Sequence, residues 1–265
     1  MYGDKGFFVR SHAKKQIVRL AKAARFFYKI VANCFKKTIR GPLLYAIIEG
    51  RFLAYPKMAK TGLFLRGPGA YGKGRKRMAQ SLILASASPR RQELMACTGL
   101  PFQVITADAE EIQAGDPEAL VMENARRKAK AVWEKHPDSV VLGADTVVYQ
   151  DGAVLGKPRD QADARAMLRR LSGAWHTVYT GVCVIVPGGK MDVRCDASRV
   201  HFVPLSYADI QRYIGSGEPM DKAGAYAVQG RAGRYVSRIE GSSSNVIGLP
   251  MHLVRDMLQK AGFEL

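Results

Sequence analysis

The sequence predicts an α/β protein in which apolar strands alternate with helices along most of the chain. Two segments, 81–86 and 139–149, are nearly continuous apolar runs of the kind that forms buried strands. A helical apolar stripe runs through 117–135, and two further long strands, 175–186 and 191–203, are joined by a Pro-Gly-Gly-Lys turn. Strands separated by helices in this way indicate a sheet covered by helices.

The distribution of charge divides the chain into two parts. Residues 1–77 contain 19 lysines and arginines against two acidic residues, whereas residues 78–265 contain 22 basic and 21 acidic residues. We therefore predict a basic extension over 1–77 and a folded domain over 78–265. The extension is compatible with a basic amphipathic helix over 13–38 and thus with a nucleic-acid or membrane-surface arm, or with a transit peptide. Because Met78 directly precedes the first patterned strand, we favour a start of translation there, with the extension otherwise disordered.

Several site types are disfavoured by composition. The four cysteines form no CxxC pair and the five histidines no HExxH spacing, so we expect reduced, buried thiols and no structural zinc site. The sequence contains no uninterrupted apolar run of transmembrane length and no signal-peptide pattern. These features favour a cytoplasmic protein without a membrane partner.

The first strand leads directly into a helix predicted over 89–98, through the small residues of the turn Ser86-Ala87-Ser88. Ser88 is the expected N-cap and Pro89 the first helical residue. Arg90 and Arg91 then fall in the first turn, where acidic residues are usual. Either they point into solvent, or they and the free N–H groups of the helix start bind an anion, of which phosphate fits best.

Charged side chains interrupt the next two predicted elements. Lys128 falls on the apolar stripe of the helix 117–135, so it lies at the rim of the core or points into a site. Asp145 and Thr146 interrupt the strand 139–149, and a buried carboxylate needs a partner or a function. Asp151-Gly152 predicts a hairpin in which Gln150 pairs with Ala153. Extended further, this register places Thr146 opposite Lys157 and Asp145 opposite Pro158.

The rest of the chain continues the pattern. Helices are predicted over 161–172, with Asp160 as N-cap, over 206–214, with a capping box from Ser206 and Asp209, and over 250–261. The segments 218–230 and 241–250 are rich in glycine and small residues, which lets backbone approach a ligand closely.

The candidate site residues fit one chemistry. They are two arginines at a helix start, the lysines Lys128, Lys157 and Lys222, and the carboxylates Glu111, Asp145, Glu218 and Asp221. Cations that hold a polyphosphate, with carboxylates that bind a divalent metal or activate water, are what cleavage of a nucleotide phosphate chain requires. This chemistry needs no organic cofactor, and the sequence has no P-loop motif.

Six short motifs resemble those of the Maf family of nucleoside triphosphate pyrophosphatases. In order, they are Ser86-Ala87-Ser88-Pro89-Arg90-Arg91, Gly143-Ala144-Asp145-Thr146, Gly156-Lys157-Pro158, Thr180-Gly181-Val182, the segment 221–230, and Gly248-Leu249-Pro250. The resemblance covers 81–262 and none of the extension. It implies a mixed sheet with flanking helices, two lobes around a nucleotide cleft, and the inosine triphosphatase-like type of fold.

The resemblance also implies an activity, which is hydrolysis of a nucleoside triphosphate to the monophosphate and pyrophosphate with Mg²⁺ or Mn²⁺, as house-cleaning of nucleotide pools. Asp145 matches the family's proposed catalytic proton acceptor, and Arg91, Glu111, Lys128 and Lys157 match its polar active-site set. Arg90, Thr146 and Gln229 match positions associated with substrate choice, while Ser86, Ser88 and Lys222 are the further substrate-binding candidates. Glu111 and Asp145 are the candidate metal ligands, and a homodimer is compatible with the family.

The substrate prediction rests on Thr146. The form Gly-Ala-Asp-Thr is similar to the branch that prefers dTTP and UTP, whereas the branch acting on 7-methyl-GTP usually has glutamine after the aspartate. Two alternatives belong to other classes: a non-enzymatic nucleic-acid-binding protein that acts through the basic extension, and a regulator of cell division, suggested by the family's historical name, septum formation inhibitor.

Overall fold

The computed structural model describes residues 80–265. The predicted helix over 13–38 and the predicted boundary at Met78 lie outside these residues. Within the described part, no helix has both the length and the apolar character needed to cross a bilayer.

In the described residues, seven strands form one mixed sheet, the type of sheet that the family resemblance implies. They are β1 (Leu82–Ala85), β2 (Gln103–Val104), β3 (Val140–Gln150), β4 (Ala153–Leu155), β5 (Trp175–Ile185), β6 (Met191–Phe202) and β7 (Val236–Glu240). The spatial order is β2-β1-β3-β5-β6-β7, with β4 paired to β3. The pairs β1–β2 and β1–β3 are parallel and the others are antiparallel. The predicted hairpin of two long strands, β5 and β6, is confirmed.

Residues 80–265 form six α-helices, which flank the sheet. They are α1 (Pro89–Ala96), α2 (Pro117–Trp133), α3 (Gln161–Leu171), α4 (Tyr207–Ile214), α5 (Ser243–Ile247) and α6 (Met251–Lys260). The Asp160 cap of α3 and the capping box of α4 are confirmed. Ser88 does occupy the N-cap position of α1, but its side chain makes no capping hydrogen bond.

Sequence patterns missed the short elements. The segment 241–250 was expected to be a loop, yet it contains α5, which Ser242 caps through its side chain. Three short 3-10 helices, Glu218–Asp221, Ala223–Ala225 and Arg231–Tyr235, and the strand β7 were also not predicted. These elements are too short to show a clear hydrophobic period, and tertiary contacts determine them.

The predicted β3–β4 hairpin is confirmed at its turn but not at its far end. Asp151 and Gly152 both have positive φ, and Gln150 pairs with Ala153. The ladder stops at the pair Val148–Leu155, so the predicted pairs of Thr146 with Lys157 and of Asp145 with Pro158 lie outside it. Pro158 has no N–H to offer a ladder, and the Gly156 carbonyl accepts instead from the Gly224 N–H.

Two glycines allow α2 to lie directly on the sheet. A Cβ at Gly143 would be 2.6 Å from the Ala125 carbonyl oxygen, and one at Gly181 would be 2.2 Å from the Val121 carbonyl oxygen. Gly181 is the register partner of Asp145, so the closest approach of α2 occurs beside that carboxylate. Two of the Maf-like motifs therefore contain a glycine with a packing role.

The prediction of buried thiols is only partly correct. Cys183 is buried, Cys195 is half-buried and Cys97, near the end of α1, is exposed. All three are free thiols. Burial raises the pKa of both Cys183 and Cys195 to about 12, which makes them unreactive. Cys34 lies outside the described residues.

Candidate active site

A cavity of about 790 Å³ opens beside the middle of β3. Its walls come from the turn between β1 and α1, from α2, from the segment that follows β4, from the 3-10 helices around residues 221–226, and from the end of α5 at 246–248. The position follows from the strand pairing, because β1 pairs with β3 only as far as Gly143 and β4 pairs with it only from Val148. Residues 144–147 lie between these two neighbours, at the point where ligands bind in open α/β sheets.

Asp145 lies on the face of β3 that α2 covers, and its side chain is buried. Lys128 of α2 places its Nζ 2.6 Å from Asp145 Oδ1 and 2.7 Å from Glu111 Oε1. The predicted residues Glu111, Lys128 and Asp145 therefore meet on one ammonium group. This cluster carries a net negative charge, because two carboxylates face one cation.

Asn124 completes the surroundings of Asp145 and was missed by the sequence analysis. Its Nδ2 donates to Asp145 Oδ2 at 3.0 Å, and it is buried one helical turn before Lys128. A signal was present: asparagine is unfavourable inside a helix, and this one occupies the apolar stripe at the i−4 position to a lysine.

Thr146 lies on the opposite face of β3, where Arg91 meets it. Arg91 donates from Nη2 to Thr146 Oγ1 at 2.9 Å, from Nε to the Gly248 carbonyl at 2.8 Å, and from Nη1 to Ser86 Oγ at 3.5 Å. All three acceptors are neutral, so these hydrogen bonds orient the guanidinium without compensating its charge. Burial lowers the pKa of Arg91 and the nearby Asp145 carboxylate opposes this shift, and the guanidinium remains protonated.

Hydrogen bonds between neighbouring hydroxyl groups determine that Thr146 accepts from Arg91. Thr180 Oγ1 donates its one proton to the Asn245 carbonyl at 3.1 Å. It must then accept from Thr146 Oγ1, which is 2.9 Å away. Because Thr146 spends its own proton in this way, its hydroxyl faces Arg91 as an acceptor.

Arg90 and the serines of the β1–α1 turn also line the cavity. Burial lowers the pKa of the Arg90 guanidinium, and the nearby Asp221 carboxylate opposes this shift. Ser86 Oγ accepts from the backbone N–H of Ser88 at 3.2 Å, so the turn is held by its own side chain. The two arginines predicted to bind an anion are thus both beside the cavity, with different surroundings.

Comparison with known proteins agrees with the motifs. A family model described as Maf-like protein matches residues 81–261. The chain belongs to the Maf family. The dTTP/UTP pyrophosphatase of Symbiobacterium thermophilum is 50% identical over 188 residues, which is 70% of this chain and 96% of that protein. The protein of the same name from Pelotomaculum thermopropionicum is 47% identical over 189 residues, 70% of this chain and 99% of that protein.

A likeness to solved structures is weaker. The Staphylococcus aureus Ham1 protein matches with 13% sequence identity and a TM-score of 0.42, over 68% of this chain and 99% of that chain.

The remaining predicted site residues of this Maf-family chain are distributed unevenly. Lys157 and Lys222 both line the cavity, Lys157 as an exposed side chain and Lys222 in an ion pair with Asp221. Gln229 does not line it, and its Oε1 is buried without a hydrogen-bond partner. Glu218 binds the backbone N–H of Arg231 with both oxygens and so shapes the loop that carries Gln229.

Proposed function

We propose that this Maf-family protein hydrolyses nucleoside triphosphates to the monophosphate and pyrophosphate, with dTTP and UTP as preferred substrates. The relatives named above, which it covers almost completely, are dTTP/UTP pyrophosphatases. The observation that carries the proposal is a buried carboxylate, Asp145, in one cavity with a guanidinium held by neutral hydrogen-bond acceptors, that of Arg91 on α1, which contacts the adjacent β3 residue Thr146.

Asp145 acts as the general base in this proposal. It takes a proton from the attacking water, whose oxygen bonds to the α-phosphorus while the bond to the β-phosphate oxygen breaks. Lys128 and Asn124 hold the carboxylate by one oxygen each, at 2.6 and 3.0 Å, and so orient it. Each of these oxygens keeps a further lone pair for the water.

The cations bind the phosphate chain. Arg91 is held by neutral acceptors, and Arg90 and Lys157 add positive charge around the same cavity, whereas Lys222 lies there in its ion pair with Asp221. As pyrophosphate leaves, negative charge grows on its oxygens, and fixed cations stabilise it without reorganisation.

A divalent metal fits the carboxylates present. Within residues 80–265, no group of three or more His, Cys, Asp or Glu side chains could hold a metal ion alone. Mg²⁺ is, however, often held by one or two carboxylates and the substrate phosphates together, and Glu111 and Asp145 share the Lys128 ammonium at the cavity. These two residues would hold it, and a bound Mg²⁺ or Mn²⁺ would neutralise phosphate charge.

Selection of the base is assigned to Arg90 and Thr146, which line the cavity and match two of the positions that the family resemblance associates with substrate choice. Gln229, the third such position, does not line the cavity in this structure, so its amide would reach a base only if the loop that carries it moved. A site built to hydrogen-bond one base rejects another that cannot pair with it. A homodimer remains a prediction of the same resemblance, and a cytoplasmic location remains a prediction from the composition of the sequence.

The test is pyrophosphate release by the full chain from dTTP, UTP, CTP, GTP, dATP and 7-methyl-GTP, with Mg²⁺ or Mn²⁺ and with a chelator. We expect dTTP and UTP to be hydrolysed fastest, and Asp145→Asn to slow hydrolysis roughly 10²- to 10⁴-fold. Asp151→Asn, the same change in the exposed hairpin turn, is the matched control and leaves the rate unchanged.

Undiminished hydrolysis by Asp145→Asn, or no pyrophosphate from any nucleotide, would overturn the proposed activity. Preference for 7-methyl-GTP would overturn only the substrate. The nucleic-acid-binding alternative would be favoured if the function of the protein were lost on removal of residues 1–77 but kept in Asp145→Asn.

A further inference from the structure

Asn124 binds two parts of the site at once. Its Nδ2 donates to Asp145 Oδ2 and to the Ile112 carbonyl, both at 3.0 Å. Its Oδ1 accepts from the Ile112 N–H at 2.8 Å. Ile112 directly follows Glu111, so a single side chain joins the general base to the segment that carries the second carboxylate.

The partners leave one orientation for this amide. Turning it over would place Oδ1 against two acceptor oxygens and an NH₂ group against a backbone donor. The side chain is only 2% exposed, so water cannot replace a lost bond at low cost. Asn124 is also fixed by its backbone, since α2 lies against the sheet at Gly143 and Gly181.

We propose that Asn124 is a positioning residue that locks Asp145 and the Glu111 segment into one arrangement. The kinetic prediction made below rests on the proposed function. The structural prediction rests on the hydrogen bonds alone. Lys128 reaches the same two carboxylates as a flexible cation that the substrate or a metal can attract away. The neutral, bidentate bond from Asn124 to Ile112 then maintains the geometry.

Two substitutions separate the contacts of Asn124. Asn124→Leu keeps the size and removes all three hydrogen bonds. Asn124→Asp keeps an acceptor for the Ile112 N–H and replaces the donor to Asp145 with an oxygen. Gln150→Leu is the matched control. Gln150, the last residue of β3, also has a buried side-chain amide, 3% exposed, which donates to the Arg170 carbonyl at 3.1 Å. It lies about 17 Å along β3 from Asp145.

Hydrogen exchange of the free protein tests the structural claim. We expect the Ile112 amide to lose protection in Asn124→Leu and to keep it in Asn124→Asp and Gln150→Leu. Protection that survives in Asn124→Leu would overturn the proposal whether or not the protein is an enzyme.

Steady-state kinetics with dTTP test the functional claim, with rates referred to the folded fraction. Both Asn124 variants should lower kcat roughly 10- to 100-fold and change KM by less than about threefold, while Gln150→Leu keeps the kcat of the wild type. An unchanged kcat in Asn124→Asp, or an equal loss in Gln150→Leu, would contradict a positioning role. An inactive wild type would instead refute the proposed function, and the exchange result would still decide the structural claim.

Discussion

The two faces of β3 at Asp145 and Thr146 differ in how they treat charge. On the Asp145 face, one ammonium meets two carboxylates, so the ions compensate each other with a negative excess. On the Thr146 face, Arg91 meets only hydroxyl and carbonyl oxygens, so its positive charge is left for a ligand. Two successive residues of one strand therefore lie beside groups of opposite charge in a single cavity, a negative cluster at Asp145 and a guanidinium at Thr146.

This difference assigns separate tasks to the two faces. A site that cleaves a polyphosphate needs a base that stays ionised and a cation that is not neutralised by the protein. A strand supplies both within one step, because its side chains alternate between faces. We therefore expect substitutions on the Asp145 face to lower kcat and substitutions on the Thr146 face to weaken binding of the triphosphate.

Among the stability predictions, Gly181→Ala should have the greatest effect, because it disturbs the packing of α2 on the Asp145 face of β3. In Gly181→Ala the new methyl group would be 2.2 Å from the Val121 carbonyl, a backbone atom that moves only with α2. We expect the free energy of unfolding to fall by about 3 kcal/mol, at the upper end of overpacking costs, and α2 to shift away from Asp145. Urea denaturation gives the value.

Gly156→Ala is the control for this change. The nearest atom to a Cβ at Gly156, Gln113 Oε1, is 4.0 Å away, so its unfolding free energy should stay within about 1 kcal/mol of wild type. Equal destabilisation of both variants would show that the close approach of α2 is not what Gly181 permits.

A buried imidazole outside both faces should control how stability depends on pH. His176, bonded to the Tyr226 hydroxyl at 2.8 Å, has its pKa lowered to about 4 by burial. His176 takes up a proton near pH 6.5 in the unfolded chain but only near pH 4 in the folded chain. The free energy of unfolding is therefore undiminished by this group above pH 6.5. It falls by up to about 3 kcal/mol as the pH falls from 6.5 towards 4.

The difference between wild type and His176→Gln, measured by urea denaturation from pH 4 to pH 8, isolates this contribution from that of the carboxylates. The wild type should lose more stability than the variant as the pH falls. Parallel pH profiles would mean that His176 does not carry the effect.

A smaller change is expected on the Thr146 face, from a substitution at Thr180. Thr180→Val keeps the shape of the side chain but leaves Thr146 without its acceptor and the Asn245 carbonyl with only one of its two donors, the Gly248 N–H. We expect KM for dTTP to rise about 3- to 10-fold with kcat nearly unchanged, since Arg91 loses a fixed partner. Thr177→Val, on the other face of β5, is the matched control, and a fall in kcat for Thr180→Val alone would contradict this division of tasks.

The sequence was sufficient for the long elements and for the charged residues of the site. Continuous apolar runs identified β3, and the exceptional position of Lys128 on an apolar stripe made it a site candidate, although its contact with Asp145 was not predicted. It could not show that Arg91 is held by a carbonyl 157 residues later, at Gly248, because no local pattern encodes such a contact. Asn124 was missed for a related reason, since its meaning depends on the partner segment at Ile112.

The most direct test measures binding without turnover. Calorimetric titration of α,β-imido-dUTP, with EDTA present, compares Asp145→Asn and Arg91→Met with the wild type. We expect Asp145→Asn to bind the analogue within about threefold of wild type, and Arg91→Met to bind it roughly 10- to 100-fold more weakly because it loses charge-assisted hydrogen bonds. Equal weakening by both substitutions, or unchanged affinity in Arg91→Met, would contradict the separation of the two faces.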